Sequence, residues 1–101
     1  MGRLEQLEAL LAKEPDDAFL NFGLAMELAK AGRFDESLVR FDRVVQFDPN
    51  YVAAIFHKGK TLLSMGEEDR AKATLRDGIE RAKACGEMHA AGEMQELLDT
   101  L

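Results

Sequence analysis

Pro15, Phe22, Leu28, Gly32 and Asp35 are each matched 34 residues later, by Pro49, Phe56, Leu62, Gly66 and Asp69. A period of roughly 20 to 50 residues marks a stacked array, because one supersecondary unit of that size cannot bury its apolar face alone. A chain of 101 residues holds two such periods with a remnant at each end. It is large enough for one modest core and too short for two domains.

Each period reads as two helices. From Arg3 to Lys13, Leu4, Leu7, Leu10 and Leu11 fall on one helical stripe, with Glu5, Gln6, Glu8 and Lys13 turned elsewhere. Pro15 ends this helix, and Asp16 and Asp17 suit the free amides and positive dipole end of the next. That second helix, Ala18 to Ala31, is apolar over more than half its circumference through Phe19, Leu20, Phe22, Leu24, Ala25, Met26 and Leu28. Such a helix is covered on two sides, or covered on one and used on the other. Gly32 is positioned to stop it in the left-handed conformation, and Phe34 to Phe47 follows with Leu38, Phe41, Val44, Val45 and Phe47 on its buried face. Asp48-Pro49-Asn50 closes the cycle; Tyr51 to Met65 and Glu68 to Ala84 then repeat the pair around Gly66. Cys85-Gly86 breaks the chain before a last helix, Glu87 to Leu101, with Ala90, Ala91, Met94, Leu97, Leu98 and Leu101 on one side. On exposed faces, Glu36 with Arg40 and Asp77 with Arg81 have the spacing of helical ion pairs.

Period, two-helix unit and residue types together resemble the tetratricopeptide repeat family. Counting from Ala18, its small position 8 is Ala25 and Gly59, its large position 11 Leu28 and Leu62, and its position 15 Gly32 and Gly66. Position 20 is Ser37 and Ala71, position 24 is Phe41 and Leu75, and the closing proline is Pro49. Small residues matter because helices crossing at short range leave no room for a branched side chain. The chain departs from the pattern at Asn21 and Ile55, where Trp is common, at Lys58 in place of Leu, at Val44 and Gly78 in place of Ala, and in lacking a second closing Pro. The resemblance implies an all-α solenoid of antiparallel helix pairs, about six helices in all. Residues 1–14 would be the second half of a preceding repeat, 15–49 and 50–84 two full repeats, and 85–101 a capping helix.

Composition narrows the partners. A net charge of -6 argues against nucleic acid, which needs clustered Lys and Arg to displace counterions. The N-terminal stretch has neither a signal-peptide apolar run nor a membrane span. The one cysteine, Cys85, leaves no intrachain disulfide and fits a reducing compartment, so a cytoplasmic location is expected. No phosphate loop, dinucleotide fingerprint, nucleophile elbow or zinc spacing occurs, so neither an enzyme nor a cofactor is expected. Cys85, His89 and Glu93 have the spacing of metal ligands on an unbroken helix, but Gly86 interrupts it. His57 stands alone in an apolar helix and reads as a packing histidine.

The resemblance also implies roles for the aromatics. Phe34, Phe41 and Phe47 fall at packing positions, whereas Phe19, Phe22 and Phe56 fall at positions 2, 5 and 5, which in the family line a concave groove. The family's clamp for acidic chaperone tails uses Lys and Asn at positions 5, 9 and their neighbours; here these are Phe22, Phe56, Met26 and Lys60, of which only Lys60 is of the right type. The chain therefore looks like a repeat protein without that clamp, with an apolar floor of Phe19, Phe22, Met26, Phe56 and Leu63 and a cationic rim of Lys30 and Lys60. The expected function is capture of another protein's peptide or helix. The alternative is a self-associating homo-oligomer, because a terminal half repeat lacks the neighbour a solenoid expects.

Overall fold

The computed structural model describes residues 2–101 and is built of α1 (Arg3–Lys13), α2 (Ala18–Lys30), α3 (Phe34–Phe47), α4 (Val52–Ser64), α5 (Glu68–Ala84) and α6 (Met88–Asp99), with no strand among the described residues. Helices α2, α4 and α6 are one to three residues shorter than the sequence pattern predicts, because Ala31, Tyr51, Met65, Glu87 and Thr100 serve as caps.

Three glycines carry the periodicity into geometry. Gly32, Gly66 and Gly86 have φ of 77°, 77° and 81°, a conformation costly for any residue with a Cβ. In each turn the following amide reaches back to the last helical turn: Arg33 N–H to the Leu28 carbonyl at 2.9 Å, Glu67 to Leu62 at 2.9 Å and Glu87 to Ala82 at 2.8 Å. These are Schellman locks, which satisfy carbonyls that the helix end leaves open. At the start of α2, Asp17 Oδ1 accepts from the Leu20 amide at 2.8 Å. Asp16 does not cap; its carboxylate lies 3.9 Å from the Arg43 guanidinium.

The chain divides into two compact units, the first through Pro49 and the second from Asn50 to Leu101. In the first, Leu7 and Leu11 of α1 meet Leu24 and Leu28 of α2, with Leu4 and Leu20 packed at the edge. Helices α2 and α3 join through Ala25 and Ser37, both with no exposed surface, and the Ser37 hydroxyl donates to the Ala25 carbonyl at 2.7 Å. Asn21, at the position where the family often has Trp, is fully buried. Its Nδ2 donates to the Pro15 and Asp17 carbonyls at 3.0 and 2.9 Å, and its Oδ1 accepts from Arg40 Nη1 at 3.0 Å. Arg40 is thereby taken from Glu36, which pairs with Arg33 instead.

In the second unit Val52, Leu75, Ile79, Ala82, Ala91 and Met94 form the core, with Phe56, Cys85, Ala90, Leu97, Leu98 and Leu101 packed against it. Two glycines mark close approaches. A Cβ on Gly59 would lie 2.8 Å from Leu75 Cδ2, and one on Gly78 would lie 2.6 Å from Met94 Sδ and 2.8 Å from Ile55 Cγ2. Gly78 is thus the point on α5 where side chains of α4 and α6 converge.

Three apolar residues sit outside the expected core. Leu10 is 51% exposed, at the margin of the α1 stripe, where no described element covers it. Phe47 is 37% exposed because it is the final residue of α3; its ring lies under the Arg43 guanidinium, 5.5 Å from the centroid. Phe34, in the first turn of α3, is half-buried, so only Phe41 of the three packing phenylalanines is fully enclosed.

Candidate functional site

The fold puts Phe19, Phe22, Met26 and Lys30 on α2 in the first unit, and Phe56, Lys60 and Leu63 on α4 in the second. On α2, Leu24 and Leu28 turn inward, which sends Phe19, Met26 and Lys30 to the opposite flank. Phe19 is 70% exposed, the most exposed large apolar side chain described. Met26 is half-buried, and Lys30 Nζ lies 3.6 Å from Glu27 Oε1. Phe22 borders the strip on the α3 side, where its half-buried ring meets Phe41 edge-on at a centroid distance of 6.1 Å. That ring is therefore partly committed to packing.

On α4, Phe56 is half-buried against the second unit's core, and Lys60 Nζ stands 4.2 Å from its ring centroid. This cation–π contact holds a positive charge over an apolar ring. His57 lies beside Phe56, with ring centroids 6.0 Å apart. Burial, and secondarily the Lys60 charge, hold its imidazole below the ordinary histidine range, which favours the neutral form. Leu63 is half-buried one turn beyond Lys60.

A separate pocket of about 200 Å³ opens between α1, α2 and α3, with Leu24, Leu28 and Val39 as floor and Glu8, Arg33, Glu36 and Arg40 as rim. The sequence reading missed it, although the 60% exposed Val39, an apolar residue on the polar side of α3, was a signal. Its guanidinium groups are engaged, Arg33 with Glu36 and Arg40 with Asn21, and its volume falls below the roughly 300 Å³ typical of small-molecule sites. The Cys85, His89 and Glu93 set does not assemble: Cys85 caps the end of α5 and Gly86 turns the chain after it, while His89 Nε2 lies 3.4 Å from Glu93 on α6. Among the described residues no group of three His, Cys, Asp or Glu could hold a metal ion, and no helix is long and apolar enough to cross a membrane.

Helical hairpins at a fixed period, closed by repeated glycine locks and carrying an exposed phenylalanine on α2, define an α-helical repeat protein. The tetratricopeptide repeat model matches residues 28–93. A TPR repeat-containing protein of Pseudomonas aeruginosa is 33% identical over 98 residues, which is 97% of this chain and 93% of the relative. The chain belongs to the tetratricopeptide repeat family. A solution structure of a Bordetella parapertussis protein is similar, with a TM-score of 0.87, 31% identity and coverage of 99% of this chain and 87% of that one. The TPR2B domain of yeast Sti1, solved in complex with pHsp70, shares the fold at a TM-score of 0.86 and 23% identity, covering 94% of this chain and 76% of that one.

Proposed function

We propose that this chain is a non-enzymatic protein-interaction module, a cytoplasmic scaffold in which the α2 strip of Phe19, Phe22, Met26 and Lys30 in the first unit and the α4 strip of Phe56, Lys60 and Leu63 in the second are each a surface for an extended segment or helix of a partner protein. The observation that carries the reading is Phe19, a phenylalanine left 70% exposed on a helix that already buries its opposite face. An exposed aromatic beside an adaptable methionine is the composition of a binding anchor. The complex of the similarly folded Sti1 domain with pHsp70 supports a peptide or protein as ligand, and the single cysteine supports a reducing compartment.

The chemistry of the strips also says what the partner is not. A carboxylate clamp needs several converging cationic or amide donors. Here Lys30 is shared with Glu27 and Lys60 rests on Phe56. A peptide with an acidic chaperone tail is expected to bind no tighter than about millimolar by calorimetry. The module itself is tested by affinity capture from native lysate with the wild-type chain and with Phe19→Ala/Phe22→Ala/Phe56→Ala. A prey held by the wild type and lost by the folded variant supports the reading. Identical prey for both sinks it.

A further inference from the structure

We propose that the pocket between α1, α2 and α3 binds a small apolar α-amino acid as the free zwitterion, with its side chain on the leucine floor and its two charges between Glu8 and Arg40. This goes beyond the interaction-module reading and shares no residue with the α2 and α4 strips.

The pocket exists because α1 and α3 both pack on α2 and not on each other. In the gap Leu24 and Leu28 of α2 form a buried floor, and Val39 of α3 adds an exposed apolar side. The volume of about 200 Å³ is short of a drug-sized ligand, yet an apolar cavity of about 150 Å³ already holds a benzene ring. The space therefore suits a molecule with one branched or aromatic side chain.

The charges around that floor select the rest of the ligand. Glu8, Arg33, Glu36 and Arg40 reach the rim. Arg33 and Glu36 neutralise each other, with Arg33 Nη2 donating to Glu36 Oε1 at 3.0 Å. Arg40 and Glu8 are not matched in this way. Arg40 gives one nitrogen, Nη1, to Asn21 Oδ1 at 3.0 Å, and among the described residues no carboxylate lies within ion-pair distance of it. Asn21 is fully buried and is itself tied to the Pro15 and Asp17 carbonyls, so this guanidinium is fixed at the pocket edge before any ligand arrives. Glu8 stands on the opposite wall, on α1, and among the described residues it forms no ion pair or hydrogen bond through its side chain. Its charge still reaches α3. Hydrogen bonding to Glu36 does most to hold Arg33 protonated, and Glu8 adds to it from across the gap.

An open cation and an open anion on facing walls, above an apolar floor, are the complement of a carboxylate, an ammonium and an apolar side chain carried on one carbon. The rim as a whole has no net charge, since its two acids balance its two guanidiniums. A simple anion would meet Glu8 and Glu36, and a simple cation would meet Arg33 and Arg40, whereas a zwitterion offends neither set.

The test titrates the whole isotopically labelled chain with leucine, with isocaproate, which is leucine without its ammonium, and with leucinamide, which lacks the carboxylate. Leucine is expected to shift the amide resonances of Leu28, Val39 and Arg40 saturably, and to bind at least about tenfold more tightly than either analogue. Glu8→Gln should bring leucine and isocaproate to equal affinity, and Val39→Asp should weaken leucine by about tenfold. Both positions are exposed, so an unchanged melting midpoint verifies that the variants fold. Phe19→Ala, outside the pocket, should leave leucine binding as it is, which separates this site from the partner surface. Absence of saturable shifts at the pocket overturns the proposal. So does binding of isocaproate or leucinamide as tight as that of leucine, an outcome that would give the pocket to a singly charged molecule or to the end of a peptide chain. A preference for leucine over isocaproate that survives Glu8→Gln overturns it as well.

Discussion

Asn21 shows how much one side chain can carry. A family position that often holds a large indole is filled here by a small amide that ties the Pro15 turn, the first turn of α2 and Arg40 of α3 together. The residue stands out in the sequence as a departure, but its role is unreadable there, because two of its partners are a backbone carbonyl and an arginine nineteen residues on. Asn21→Ala leaves Arg40 and the Pro15 carbonyl short of a partner, and such a loss costs about 1 to 3 kcal/mol. The expected result is a melting midpoint lowered by several degrees; an unchanged midpoint would show that water replaces the amide. His57 gives a second residue-scale prediction. Its folded-state affinity for protons is depressed, so the unfolded chain binds more protons as pH falls through the ordinary histidine range near about 6.5. Stability therefore rises with pH across that window and is lost on acidification. The midpoint of His57→Gln, followed between neutral and mildly acidic pH, should fall less than that of the wild type; parallel curves would contradict the assignment.

At the scale of elements, the glycine locks were the most legible feature. A residue that alone tolerates positive φ, recurring after an apolar run, dictates a helix stop wherever it falls. All three such turns carry the same backbone bonds. The margins of helices were less legible. Leu10 fits the α1 stripe as well as Leu11 does, and only the direction of α2 decides that one is buried and the other exposed. Phe47 likewise matches a packing position but lies at the end of α3, where fewer neighbours surround it. The last helix is the element on which the second unit depends. Ala91 and Met94 of α6 close a core otherwise made of Val52, Leu75, Ile79 and Ala82, and Met94 fills the space above Gly78. Deleting residues 87–101 removes that cover and exposes the apolar faces of α4 and α5 together. The truncated chain is expected to aggregate or to lose cooperative thermal unfolding, followed by far-UV circular dichroism. A midpoint equal to that of the intact chain would refute this dependence.

For the molecule as a whole, the hardest thing to read from sequence was which aromatics are anchors and which are core, since both kinds recur with the same period. Burial separates them by degree. Phe41 is fully enclosed, Phe22 and Phe56 are half-buried, and Phe19 stands largely in solvent. Removing an enclosed Phe costs about 3 to 5 kcal/mol. A half-buried ring has less apolar surface to lose, so Phe22→Ala and Phe56→Ala should each cost roughly half as much, and Phe19→Ala almost nothing. Phe22 touches Phe41, so those two substitutions will not add simply. Binding should rank differently. If α2 and α4 carry the partner surface, Phe19→Ala and Phe56→Ala lose capture while the protein stays folded, because an aromatic anchor can contribute 2 kcal/mol or more, about thirtyfold in affinity. Melting midpoints and capture measured side by side for the four single variants decide between the two roles. Should Phe22→Ala and Phe56→Ala destabilise as much as Phe41→Ala, and Phe19→Ala leave capture intact, these rings belong to the core and the partner surface lies elsewhere on the chain.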